Sequence, residues 1–114
     1  MPIELTDPDD AKLVTLARSV RARTRAAQGA CVRDTDGRTY AGATVSLPSL
    51  QLSAVGVAVA MAASSAAGGL EAVAVLGGDM VSEADLAVVA DFAGRDVPVY
   101  LATEDGSVVE QLST

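Results

Sequence analysis

The side chains that could act as acid, base, metal ligand or nucleophile are few in this chain of 114 residues. It contains no His and a single Cys, which removes imidazole as a general base and as a zinc ligand. One polar group that could be considered for a metal site is Ser82-Glu83-Ala84-Asp85. A hydroxyl with one or two carboxylates makes a poor metal cage, whereas Ser82 with Asp85 three positions later has the form of a helix N-cap supported by an acid. We therefore expect a helix start here and no bound metal or other cofactor.

Nucleophilic catalysis lacks a matched base. Several hydroxyls are present: Thr39, Tyr40, Thr44, Ser46 and Ser82. Without His, each would need a Lys or carboxylate partner, and the only lysine, Lys12, falls in the first predicted helix. Cys31 falls inside a predicted strand, where a thiol usually behaves as a small buried hydrophobe. These residues disfavour an enzyme with its own nucleophile and base.

Composition and charge exclude further classes. The formal charge is −7, which disfavours a nucleic-acid binder because such proteins need excess Lys and Arg. The uncharged run of residues 39–70 is interrupted by Pro48 and Gln51 and is mostly Ala in its helical part, so we expect no membrane span. One cysteine and no recognisable signal peptide predict a cytoplasmic protein.

The first element that must position any site is a helix over residues 8–26. Asp7-Pro8 supplies an Asx cap with proline at the first helical position, and acids follow in the first turn. The basic residues of this helix fall near one another on the face away from the core: Arg18, Arg21 and Arg25. That face is either a solvated surface or a docking site for an acidic partner.

Next, Asp36-Gly37 predicts a hairpin turn between strands at residues 29–33 and 38–45. A loop around Pro48 follows, and Ser49 or Ser53 caps a second helix that ends at Gly68-Gly69. Because that helix is apolar all round, we expect burial on nearly every side.

The last part alternates strand and helix. The pattern predicts a strand at residues 72–76, a helix from Ser82 to Gly94, and strands at residues 98–102 and 107–112. Residues 1–114 are therefore expected to form one α/β domain, with a mixed sheet and helices packed on its faces.

The ordered set of motifs resembles the cytidine deaminase family over nearly the whole chain. The matching stretches are Gly29-Ala-Cys-Val, Asp36-Gly37-Arg38-Thr-Tyr-Ala-Gly42, Asp91-Phe92, Val97-Pro-Val-Tyr100 and Asp105-Gly106. This resemblance implies a three-layer α/β/α fold with a mixed sheet of about five strands. It also implies a zinc-activated water held by Cys or His ligands, with a glutamate that shuttles the proton.

The positions that match the family's site carry other residues here. The first zinc ligand and the glutamate correspond to Val55 and Val57, and two further ligands correspond to Ser82 and Asp85. The ribose-binding positions read Thr44 and Ser46. The resemblance thus implies a deaminase fold without catalytic or metal-binding residues.

Two main hypotheses remain open. In the first, the protein is an inactive, zinc-free member that acts through self-association, as a dimer or tetramer, or through protein partners. In the second, a remnant pocket still binds a nucleoside, base or nucleotide, because helix N-termini favour electron-rich groups. An active nucleoside deaminase is the least favoured alternative.

Overall fold

The computed structural model describes residues 2–114. Its helices and strands follow the predicted order, except that two additional short strands lie between the second strand and the second helix. The helices are α1 (Pro8–Thr24), α2 (Ala54–Ser64) and α3 (Glu83–Ala93). The strands are β1 (Gly29–Asp34), β2 (Thr39–Ala43), β3 (Val45–Leu47), β4 (Leu50–Leu52), β5 (Leu70–Leu76), β6 (Pro98–Ala102) and β7 (Val108–Ser113).

The main sheet has five strands in the order β2-β1-β5-β6-β7. β5 and β6 are parallel because α3 connects them as a crossover, and the other neighbouring pairs are antiparallel. The β1–β2 turn uses Gly37 at a φ of 86°, where glycine carries no steric penalty. The predicted α/β class and mixed five-stranded sheet are confirmed.

One face of the sheet is covered by α1. The Asp7 carboxylate accepts a hydrogen bond from the Asp9 amide (2.8 Å), so this helix begins where the sequence predicts. Its buried stripe packs with the adjoining face of the sheet, and consists of Leu13, Val14, Ala17 and Val20. The helix ends at Thr24 rather than Ala26, because Arg25 adopts a left-handed backbone conformation.

A partly buried polar network ties the start of α1 to the sheet. The Asp10 carboxylate accepts one hydrogen bond from the Arg33 guanidinium (2.9 Å) and another from the Tyr100 hydroxyl (2.6 Å). Arg33 also donates to Glu71 (3.0 Å). Burial and the bond to Asp10 raise the pKa of Tyr100 to about 12.

The basic face of α1 is partly occupied. The Arg21 guanidinium pairs with Glu104 (2.9 Å) and donates to the Ala27 carbonyl (3.0 Å). Arg18 and Arg25 are exposed. The three arginines therefore do not form one uniform solvated surface.

The opposite face of the sheet carries α2 and α3. The larger hydrophobic core lies here and joins both helices to inward-facing residues of β1, β5 and β6. The buried residues of α2 are Ala54, Val55, Ala58, Val59 and Ala62. Helices on both faces of the sheet give the expected three layers.

Two expectations about the middle of the chain are wrong. Instead of a loop around Pro48, β3 and β4 form a short antiparallel hairpin. The second helix ends at Ser64, well before the glycine pair, and its outer side is exposed at Ala60, Met61 and Ala63. Apolar composition could not show this, because small exposed alanines satisfy helix propensity without requiring cover.

No helix within residues 2–114 is both long and apolar enough to cross a membrane.

Candidate functional site

Helices α2 and α3 begin side by side, and their N-terminal caps are joined by one hydrogen bond. The Ser53 hydroxyl accepts from the Gly56 amide (2.9 Å) and donates to the Asp85 carboxylate (2.6 Å). The Ser82 hydroxyl in turn accepts from the Asp85 amide (3.1 Å). Asp85 is only 7% exposed, and a buried carboxylate needs hydrogen-bond donors from the protein. One of them is supplied by Ser53, a residue 32 positions away in the chain.

The predicted partnership of Ser82 and Asp85 is therefore present, but it uses the Asp85 backbone. The Asp85 side chain instead accepts a hydrogen bond from Ser53, the N-cap residue of α2. Ser53 was one of two candidate caps in the sequence, and nothing in the local pattern indicated its bond to Asp85.

Two of the sequence-selected positions are aliphatic and lie on α2. Val55 is buried in the core between α2 and the sheet. Val57 is half-buried and lies against Gly42 of β2, where an added Cβ would come within 2.7 Å of a Val57 methyl. Both side chains fill space, and neither offers a donor or acceptor to a ligand.

The other two selected positions, Thr44 and Ser46, line a shallow cleft of about 330 Å³ beside the start of α2. The remaining lining residues are Gln28, Val45, Gln51, Leu52 and Ser53. Thr44 is oriented by the backbone N–H of Gln28, which donates to its hydroxyl (3.1 Å). Ser46 is exposed. The cleft thus offers hydroxyl and amide groups without formal charge.

The structure brings these groups together only in part. Thr44, Ser46 and Ser53 share the cleft, and Ser53 connects it to Asp85. Val55 instead belongs to the core. Sequence reasoning missed Gln28 and Gln51, whose only signal was an amide side chain in or beside a largely uncharged stretch.

Cys31 lies away from this site. It is fully buried among the residues that α1 covers, on the opposite face of the sheet from α2 and α3. Burial raises its thiol pKa to about 11. A buried thiol that stays protonated at neutral pH does not act as a nucleophile or a metal ligand.

Comparison with known proteins agrees with this architecture. The cytidine deaminase-like family model matches residues 6–106. Among solved structures, cytidine deaminase from Burkholderia pseudomallei superposes with a TM-score of 0.79 at 22% identity, covering 90% of each chain. A search of curated proteins gives no match.

Mycobacterial structures are also similar. Cytidine deaminase from Mycobacterium tuberculosis has a TM-score of 0.71 at 26% identity, covering 82% of this chain and 85% of that one. The Mycobacterium leprae cytidine deaminase gives 0.71 at 20% identity, with 90% and 93% covered. The family model spans most of the sequence and the structural matches share its fold, so this chain belongs to the cytidine deaminase-like family.

Proposed function

We propose that this protein is a zinc-free, catalytically inactive member of its family that acts by associating with itself or with protein partners. The observation that carries the proposal is the hydrogen bond between Ser53 and Asp85 (2.6 Å). It joins the two helix starts through side chains, and its acceptor, Asp85, stands at a position where the resemblance implies a zinc ligand.

The donor chemistry at these helix starts does not fit a catalytic zinc ion. Such a site needs three N, S or carboxylate ligands with a fourth position open to water. Here one carboxylate, Asp85, stands with two serine hydroxyls that serve as helix caps. Within residues 2–114, no cluster of three or more His, Cys, Asp or Glu side chains could hold a metal.

The proton-transfer step is also without a suitable group. The resemblance assigns the proton-shuttling position to Val57, a side chain that cannot accept or donate a proton. At the position where the resemblance implies a zinc ligand, Val55 places an aliphatic side chain in the core. Aliphatic groups at both positions support inactivity, because a valine side chain can neither bind zinc nor transfer a proton.

Activity is tested by incubating the protein with cytidine and added zinc and following uridine by liquid chromatography. We expect no uridine above a protein-free control, because Val55 and Val57, at the positions that the resemblance assigns to a zinc ligand and to the proton shuttle, can neither bind zinc nor transfer a proton. Zinc-dependent turnover that a chelator abolishes would contradict the proposal.

An exposed apolar surface supports association. We name it the hairpin patch, and its large side chains are 37–54% exposed: Leu47, Leu50, Leu52 and Met61. It lies on the β3–β4 hairpin and the outer side of α2, within the uncharged stretch of residues 39–70. Contiguous exposed leucines of this kind mark contact surfaces.

Charge favours this patch as the meeting point of two copies. The chain carries a net charge of −7, so two acidic copies approach at least cost where neither presents an acid. The small residues Ala60 and Ala63 on the exposed side of α2 allow close packing of helices. We propose a homo-oligomer, either dimer or tetramer, with another protein as the alternative occupant.

The oligomer is tested by size-exclusion chromatography with light scattering at micromolar concentration. Leu50→Glu places a charge in the patch and is expected to shift the mass toward one chain. Val109→Glu, at an equally exposed position on β7, is the matched control and should leave the mass unchanged. A wild-type protein that is already monomeric would refute the oligomer.

A second candidate function rests on the cleft beside α2. Its polar, uncharged lining and volume of about 330 Å³ suit a nucleoside or base, which is recognised by hydroxyl and amide groups. A ligand at about a hundred times its dissociation constant adds about 2.7 kcal/mol of stability. A thermal shift with cytidine, lost in Gln51→Ala, would favour this candidate, and no shift with any nucleoside would remove it.

A further inference from the structure

A second cavity lies on the other side of the sheet from α2 and α3. It is a groove of about 360 Å³ between the N-terminal residues 2–5, helix α1 and the β6–β7 turn. Its apolar walls include Ile3, Leu5, Val14 and Val108. The Ile3 amide donates to the Val108 carbonyl (2.6 Å), which fixes the N-terminal segment along one wall.

Two opposite charges stand at the rim of this groove, Arg18 from α1 and Asp105 from the turn. The Asp105 carboxylate accepts hydrogen bonds from the Thr103 hydroxyl and from the Ser107 amide (3.0 Å). These bonds orient it and lower its pKa to about 2, so the group is ionised at neutral pH.

Arg18 is available to a ligand. Within residues 2–114 its guanidinium makes no side-chain hydrogen bond and no ion pair, with Asp105 or any other acid. Its aliphatic stem passes over Gly106, where an added Cβ would be 3.9 Å from the Arg18 Cδ. The rim therefore presents a cation and an anion that are near each other but not paired.

We propose that this groove binds a free α-amino acid with a branched apolar side chain. The ligand's carboxylate pairs with Arg18, its ammonium group with Asp105, and its side chain enters the apolar groove. A cavity of this size with apolar walls and a few convergent polar groups is typical of small-molecule sites.

The two rim charges select among possible ligands. A simple fatty acid would bring its carboxylate close to Asp105, and a simple amine would meet Arg18 without a partner. Only a zwitterion satisfies both groups. The site shares no residue with the cleft or the hairpin patch, so it stands independently of the function proposed above.

The test is a titration of the ¹⁵N-labelled protein with L-leucine, followed by amide chemical shifts. We expect saturable shifts confined to residues 3–5, 14–18 and 105–108. Two leucine analogues, 4-methylpentanoate and 3-methylbutylamine, lack the amine and the carboxylate respectively. Each should bind at least about tenfold more weakly, because it loses a charge-assisted hydrogen bond.

Substitutions separate the two contacts. Arg18→Gln keeps the aliphatic stem and Asp105→Asn keeps an acceptor for Thr103 and Ser107, so both variants should fold, which their spectra will verify. Each should weaken leucine by about tenfold or more. The matched control Arg23→Gln, an exposed arginine of the same helix outside the groove, should not change the affinity.

Three results would overturn the proposal. One is the absence of any shift at the solubility limit of leucine, and another is a set of shifts located outside the groove. The third is equal affinity for leucine and its two analogues, which would show that the rim charges recognise nothing.

Discussion

Ser53→Ala should destabilise the protein more than the loss of an ordinary helix cap, because the Ser53 hydroxyl serves two groups. It accepts from the Gly56 amide and donates to the Asp85 carboxylate. Alanine would leave the first turn of α2 without a cap. It would also remove a donor from an acid that is 7% exposed.

The expected size follows from these two contacts. Loss of a serine N-cap costs about 1 kcal/mol, and loss of a hydrogen bond to a buried charged group costs about 2 kcal/mol. We therefore expect the free energy of unfolding to fall by about 3 kcal/mol, a large part of the roughly 5–15 kcal/mol that keeps a small domain folded.

Urea unfolding followed by circular dichroism measures this change. An unchanged m-value, the slope of the unfolding free energy against urea concentration, would indicate that only stability has altered. Ser82→Ala is the matched control. It removes the cap of α3 but leaves the Asp85 carboxylate bonded to Ser53, so it should cost only about 1 kcal/mol.

A double-mutant cycle with Asp85→Ala adds a second check. Ser53→Ala should cost less in the Asp85→Ala background than in the wild type, since no carboxylate is then left without its donor. Equal losses for Ser53→Ala and Ser82→Ala, with no coupling to Asp85, would refute the importance assigned to this bond.

Three further outcomes are expected. Gly42→Ala should lower the free energy of unfolding by about 1–3 kcal/mol, because its Cβ would lie 2.7 Å from a Val57 methyl and 2.9 Å from the backbone of α2. Denaturant unfolding measures this loss, and an unchanged midpoint would contradict the close packing. Tyr100 is protonated in the folded state up to a pKa of about 12, against 10.0 when unfolded, so stability should fall as the pH rises from about 10 to 12. Tyr100→Phe should make that fall smaller in urea midpoints measured across this range, and the part that remains comes from Cys31 and Tyr40, whose pKa values are also raised in the folded protein. The Cys31 thiol, buried and with its pKa raised to about 11, should react with a thiol reagent only after denaturant is added, and rapid labelling of the native protein would contradict its placement.

The elements that could be predicted from the sequence are those set by local chemistry. Asp7-Pro8 begins α1 because an Asx cap and a proline act within one turn, and Ser82 begins α3 for a similar reason. The turn at Gly37 likewise depends on a single residue with positive φ.

What the sequence missed depends on contacts between distant segments. β3 and β4 have three residues each, too short for a period-two pattern to be recognised. The exposed side of α2 could not be identified, because alanine and valine surround the helix and only the packing against β1 and β2 decides which are covered. The bond from Ser53 to Asp85 joins residues 32 positions apart, and no local rule predicts such a partner.

Zinc binding is the most direct test of the proposal that this fold has no metal-dependent deaminase chemistry. The protein, dialysed against zinc and then against zinc-free buffer, is analysed for metal by mass spectrometry. With Asp85 bonded to Ser53 and no Cys or His at the helix starts, zinc should remain at the level of the buffer. One tightly held zinc ion per chain, lost on Asp85→Ala, would contradict the proposal.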